Sequence, residues 1–310
     1  MFVWQGKRRW GWWIVLISMA VIAAGCGAEE APGTEETGVN SETEAAEPAA
    51  GGFDHITGID AGAGIMQATE EAIEAYGLDI ELVPSSSAAM TAALASAIEN
   101  EEWIVVTGWT PHWKFAAYDL KYLDDPLGIY GEEESIHTLV RQGLEEDHPS
   151  AYQVLDNFYW TPDDMNQVMV DMAQHGLSET EAARQWIEAN REVVDSWIEG
   201  VEPVDGDRIE LVYVTWDSEI ASSNVIALVL EEIGYEVELT PVEAGVMFAG
   251  VASGEADAMV AAWLPGTHAA YYEDFKDDLV DLGPNLDGAK IGLVVPTYVD
   301  IDSIEEIRPR

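Results

Sequence analysis

Positive charge is the scarcest ingredient of this 310-residue chain: 13 Lys and Arg stand against 59 Asp and Glu, a formal net charge of −46. A surface so acidic repels phosphate backbones and excludes a nucleic-acid partner. In dilute buffer it also repels itself, because screening reaches about 10 Å at 0.1 M salt. It reads as a halophilic acidic surface, built to stay hydrated in concentrated salt. Cysteine is nearly missing. Cys26 stands alone, which excludes a disulfide within the chain and a thiolate metal site. Catalytic signatures are missing too: no P-loop, no HExxH and no nucleophile elbow occur. The glycine loop 60–66 is not a GxGxxG, because Met66 and Gln67 stand where the last glycine would fall. No enzyme, cofactor or metal is expected.

What is present begins with a sorting signal. Lys7-Arg8-Arg9 precedes residues 10–24, an apolar stretch of 15 residues, too short for the roughly 20 of a membrane span and suited to a signal-peptide core. It ends Ile22-Ala23-Ala24-Gly25-Cys26, which resembles the lipobox of bacterial lipoproteins, with Ala23 in place of the usual Leu. The resemblance implies cleavage of 1–25, lipidation of Cys26 and a cell-membrane anchor on the extracytoplasmic face. The following segment, 26–52, is rich in Glu, Ala, Gly and Thr without an aromatic. It reads as an acidic flexible tether.

The body, 53–310, contains an internal repeat. The first copy runs from about 56 to 113 and the second from about 209 to 268. At an offset of 157, Asp60 meets Asp217 and Pro84 meets Pro241; at 154, Trp109 meets Trp263 and Pro111 meets Pro265. Each copy alternates short apolar runs with helical periodicity, such as 65–76 and 221–233. This pattern predicts an α/β fold with two lobes, each a mostly parallel sheet flanked by helices. The expected division is 53–148 plus 296–310 for one lobe and 149–295 for the other. Residues 147–200 read as helices, with Ser178-Glu-Thr-Glu181 a capping box.

In open sheets of this type ligands sit outside the C-terminal strand ends. Strands expected at 104–107, 211–215 and 258–262 run into Trp109, Trp216 and Trp263. Trp103, Trp160, Trp186 and Trp197 read instead as packing. Three indoles around one cavity suit a trimethylammonium group, which has no N–H to donate and is stabilised by aromatic faces at about 0.5–2 kcal/mol per ring. An anion site lies beside them. The loop Asp60-Ala-Gly-Ala-Gly64-Ile65-Met66 opens a helix, and backbone N–H groups at a helix start bind carboxylates. His268, five residues past Trp263, is a second carboxylate donor. Asp60 and Asp217, matched in the two copies, read as sharing a structural role rather than as an acid/base pair.

The body resembles the glycine betaine/proline betaine-binding proteins of ABC osmoprotectant importers. GIDAGAGIM, SSSAAMTAAL, VTGWTPHW, WDSEIASSNV, AWLPGTHAAYY and GLVVPTYV carry the resemblance. It implies a two-lobed clamshell of the periplasmic-binding-protein type (type II), with a prism of Trp109, Trp216 and Trp263 around the ligand's cation. It also implies that the amides of Gly64 and Ile65, with His268, take the carboxylate. The partners implied are glycine betaine or proline betaine, an ABC permease and ATPase, and the membrane through the lipid anchor. A choline/carnitine receptor or a ligand sensor of the same fold is the alternative.

Overall fold

The computed structural model describes residues 51–310; the signal segment 1–25, Cys26 and the tether up to residue 50 lie outside the described residues. Among the described residues, no helix is long and apolar enough to cross a membrane.

The first repeat forms β1 (Ile56–Thr57), α1 (Gly64–Tyr76), β2 (Leu82–Val83), α2 (Ser87–Glu99) and β3 (Val105–Thr110). Next come α3 (Lys114–Ala117), β4 (Leu120–Tyr122), β5 (Glu134–Arg141) and a helical run: α4 (Leu144–Asp147), α5 (Pro149–Asn157), α6 (Pro162–Ala173), α7 (Glu179–Ala189) and α8 (Arg191–Ile198). The second repeat supplies β6 (Arg208–Tyr213), α9 (Asp217–Glu232), β7 (Glu236–Pro241), α10 (Ala244–Ser253) and β8 (Ala258–Leu264), followed by α11 (Ala269–Phe275) and β9 (Leu279–Pro296).

Local chemistry explains several boundaries. Ser86 caps α2 by accepting the amide of Ala89, a role for which serine is well suited. Ser178 and Glu181 satisfy each other's backbone amides in a capping box, and α7 then buries Ala182, Ala183, Trp186 and Ile187. Helix α9 is buried along nearly its whole length, because it packs against α6 and α7 as well as β6, β7 and β8. In the helical layer Trp186 stacks on Trp197 at 5.9 Å and meets the edge of Trp160 at 5.4 Å. Trp103 packs on Phe53 at 5.5 Å.

Within each repeat the strands are parallel: β1 pairs with β2 and β3, and β6 pairs with β7 and β8. Strand β9 joins the two sets. Its first part, from Leu279 to Ala289, pairs antiparallel with β5, which in turn pairs with β8. Its second part, from Lys290 to Pro296, pairs antiparallel with β3 and β4. The ladder order is β2-β1-β3-β9-β5-β8-β6-β7. Beyond β9 the chain bridges Asp124 through Ser303 and Phe53 through Pro309.

Strands β3 and β8 are longer than the expected 104–107 and 258–262, so Trp109 and Trp263 lie inside the strand ends. The extra residues are held by distant partners, since Trp109 pairs with Ile291 and Trp263 with Ile136. Helix α9 begins at Asp217 with Trp216 as its N-cap, four residues before the expected start at 221.

Candidate functional site

Strand ends from both repeats converge on one narrow, largely apolar hollow. Its wall consists of Ile59, Ala63, Gly64, Ile65, Trp109, Trp216, Trp263, Thr267 and Ile291. The indoles come from three different strand ends: Trp109 from β3, Trp216 from the turn after β6, and Trp263 from β8. All three are at least 95 % buried.

An indole N–H taken out of water needs an acceptor, and each of the three has one. Trp109 Nε1 donates to Ser218 Oγ at 3.1 Å, Trp216 Nε1 to Asp60 Oδ2 at 2.9 Å, and Trp263 Nε1 to Glu219 Oε1 at 2.7 Å. The first two bonds cross from one repeat to the other. These bonds hold the ring edges and leave ring faces to line the hollow. Ser218 in turn donates to Glu219 Oε2 at 2.6 Å. Burial pushes the Glu219 carboxyl up to about 7, against the lowering effect of those donors.

In the wall of the same hollow α1 begins without a side-chain cap. The bonds that close its first turn start at Met66 and Gln67, both to the Ala63 carbonyl. The amides of Gly64 and Ile65 precede them and have no intrahelical acceptor by position. Gly64 is required here by close approach: a Cβ would lie 1.9 Å from the carbonyl oxygen of Thr267 in the other repeat. Tyr271 from α11 also reaches across, donating to the Gly62 carbonyl at 2.8 Å.

His268 stands next to the hollow rather than in its wall. Its ring lies against Trp216, 6.1 Å between centroids and 24° between planes. Nδ1 accepts the amide of Trp263 at 3.1 Å, so the neutral ring carries its proton on Nε2. That nitrogen is buried without a hydrogen-bond partner. Burial pushes the imidazole down to about 4, so it stays neutral in ordinary buffers. The arrangement offers one unpaired N–H on the residue next to Thr267, whose carbonyl approaches Gly64.

Several contributors lie outside the motifs read from the sequence. Glu134, on β5 and buried, accepts the amides of Gly266 and Thr267 at 3.1 and 2.9 Å and also binds the Thr267 hydroxyl. It thereby fixes the loop that carries Thr267 and His268. Lys114 is fully buried with Nζ 4.2 Å from the Trp109 ring centroid and no hydrogen-bond partner. Burial lowers its ammonium to about 7, opposed by Asp217. Ile291 reaches the hollow through its register with Trp109. Thr267 has a local signal, its place beside His268 in the same motif. Ile291 and Glu134 are brought in by strand pairing, whereas Lys114 opens α3 and turns back onto Trp109.

A hollow closed by two α/β repeats, with a single hydroxyl in its wall already bound to Glu134, is the site of a protein that encloses a small solute. A family profile, the substrate-binding domain of ABC-type glycine betaine transport systems, matches residues 32–189 and 207–309, and the chain belongs to that family. It is 56% identical over 257 residues to the glycine betaine/carnitine transport binding protein GbuC of Listeria monocytogenes, covering 82% of this chain and 85% of the relative. Among solved structures, lactococcal OpuAC in its closed form with glycine betaine aligns at 51% identity and a TM-score of 0.45, over 47% of this chain and 57% of that one. The glycine betaine, L-proline-binding protein of Borrelia burgdorferi aligns at 47% identity and a TM-score of 0.45, over 46% and 55%. The chain thus spans little more than half of those two structures.

Proposed function

We propose that this protein captures glycine betaine and related betaines outside the cytoplasm and delivers them to an ABC permease and its ATPase. The observation that carries the reading is the convergence of three indoles, drawn from both repeats, on one hollow that also receives the uncapped start of α1. In this reading Trp109, Trp216 and Trp263 surround the trimethylammonium group. Each ring contributes about 0.5–2 kcal/mol, more when desolvated, toward the roughly 8 kcal/mol of micromolar binding. The amides of Gly64 and Ile65 and the Nε2–H of His268 take the carboxylate, at the positive end of the α1 dipole. The protein binds without turnover. In this reading one lobe is 53–148 plus 296–310 and the other 149–295, with β5 reaching from the first to pair with β8 of the second.

Lipidation of Cys26 and cleavage of 1–25 belong to the same proposal. They rest on the sequence of the N-terminal segment, and mass spectrometry of the membrane-extracted protein tests them. Carnitine, with a quaternary ammonium and a carboxylate, fits the same two-ended chemistry. Choline fits less well, because it leaves the α1 amides and His268 Nε2 unanswered.

Calorimetric titration at high salt with glycine betaine, proline betaine, carnitine and choline is the test. Saturable binding of the carboxylated ligands, with choline at least tenfold weaker, is expected. No heat and no thermal shift with any betaine would overturn the reading.

A further inference from the structure

The three cage indoles share a feature that their faces alone do not require: each edge N–H leads to a carboxylate. Trp216 donates directly to Asp60, Trp263 directly to Glu219, and Trp109 to Ser218, whose hydroxyl donates to the other oxygen of Glu219. One fully buried carboxylate therefore serves two rings. A neutral acceptor such as a backbone carbonyl or an amide would satisfy an indole N–H equally well. Elsewhere in the molecule one does, since Trp197 donates to the Tyr159 carbonyl. Glu219 also sits in a costly place, 1% exposed, with no Lys or Arg among its hydrogen-bonding or ion-pair partners. Burying a carboxyl there needs a reason beyond fixing ring positions.

Resting on the betaine-binding reading above, we propose that Glu219, helped by Asp60, sets the charge selectivity of the cage. The carboxylates are positioning residues that also polarise it. Accepting an indole N–H pushes electron density into the ring, and hydrogen bonds in series polarise one another. The ring faces become better partners for a cation. The negative charge itself adds a direct attraction that the surrounding apolar wall does little to screen. Lys114 pulls the other way, because its ammonium lies 4.2 Å from the Trp109 centroid. Of the neighbouring charges, Asp217 lies on the same helix as Glu219 and contacts His112 at 3.5 Å. A cage of the same shape without the carboxylates would still favour a trimethylammonium over a neutral tert-butyl group through its ring faces, but by a smaller margin. This one is built to prefer the cation.

The discriminating probe is 3,3-dimethylbutyrate, which has the shape and carboxylate of glycine betaine with carbon in place of the quaternary nitrogen. Affinities of both are measured by calorimetry at pH 8.5, above the value of about 7 to which burial raises Glu219, the weaker one by competition, for the parent protein and for Glu219→Gln. The amide keeps an acceptor for Trp263 and a hydrogen-bonding contact for Ser218. For Glu219→Gln, betaine affinity is expected to fall about tenfold or more, the size of one buried charge facing a cation at an effective permittivity of about 20. Affinity for the neutral isostere is expected to change less than about twofold. Equal losses for both ligands would mean that Glu219 only holds the rings in place, and unchanged betaine affinity would remove its role; either overturns the proposal. A parent that binds neither ligand would instead overturn the betaine reading itself. Asp60→Asn, on the half-exposed side of the cage, is read by the same ratio should Glu219→Gln fail to fold. A ratio equal to the parent's then counts against the proposal.

Discussion

The carboxylate of Asp217 accepts the indole N–H of Trp113 at 3.0 Å, a bond from the second repeat to the first. It also accepts the Ser87 hydroxyl at 2.9 Å, and together these donors and His112 hold its carboxyl down at about 2 despite burial. Asp60, its counterpart in the first repeat, accepts Trp216 from the second. Each repeat thus lends its first-loop carboxylate to a tryptophan of the other. Replacing Asp217 by Ala strands an indole N–H and a hydroxyl. A lost hydrogen bond to a charged group is worth about 1.5–3 kcal/mol. Betaine affinity in Asp217→Ala is expected to fall about tenfold or more by calorimetry, and an unchanged value would show that the clasp is not coupled to binding.

Removing any one of Trp109, Trp216 or Trp263 by Ala should weaken betaine binding about tenfold or more, since about 1.4 kcal/mol per decade is within the range of one ring. Fluorescence titration of the three variants measures it. Parent-like curves for all three would dismiss the cage.

Gly64→Ala tests the approach of the two repeats. The added methyl meets a backbone oxygen at 1.9 Å, which only a shift of one repeat relieves. Alanine is otherwise well suited to a helix. Even so, the unliganded melting temperature is expected to fall, and the upward shift on adding betaine to shrink or vanish. A full ligand shift in the variant would mean that Gly64 and Thr267 need not approach so closely in the bound form.

The buried imidazole of His268 makes stability pH-dependent. Its pKa falls from 6.5 to about 4 on folding, because burial disfavours the charged ring. Between those values the unfolded chain binds more protons, so stability from this group is full above 6.5 and falls as pH drops toward 4, by up to about 1.4 kcal/mol per unit. His268→Asn keeps an acceptor but cannot titrate. The gap in melting temperature between parent and variant is expected to narrow as pH is lowered from 7 to 5, with the parent losing ground. A constant gap would show that the ring is not held neutral.

The charge imbalance gives a final expectation. With 59 acidic residues and 13 basic ones, most carboxylates have no cation to pair with, and screening relieves their repulsion. The melting temperature is expected to climb from 0.1 M to molar salt. A flat profile would refute adaptation to salt.

Much of this architecture can be read from the chain alone, for a physical reason. Alternation of short apolar runs with helical periodicity is local, and the capping residues Ser86 and Ser178 announce their helices within a few positions. Duplication then supplies what one copy cannot, because matched tryptophans at strand ends mark a shared cleft. The strand lengths were less legible: β3 and β8 extend through the tryptophans only because β9 and β5 lie beside them. Glu134 and Lys114 are further cases. Nothing near Glu134 in sequence indicates that it will hold Gly266 and Thr267, more than 130 positions away. Lys114 has the look of a solvent-facing residue until the fold closes over it. His268 is intermediate: its motif marks it, but its stacking against Trp216, more than 50 positions earlier in the chain, appears only in the fold.

Strand β9 carries a consequence for how the body comes apart. A single continuous stretch of backbone is the hydrogen-bonding neighbour of β3 at one end and of β5 at the other. Its two parts cover one edge in each set of strands, and because they are one backbone, fraying at either end disturbs the strand that covers the other. Heat is therefore expected to dismantle the body in one calorimetric step.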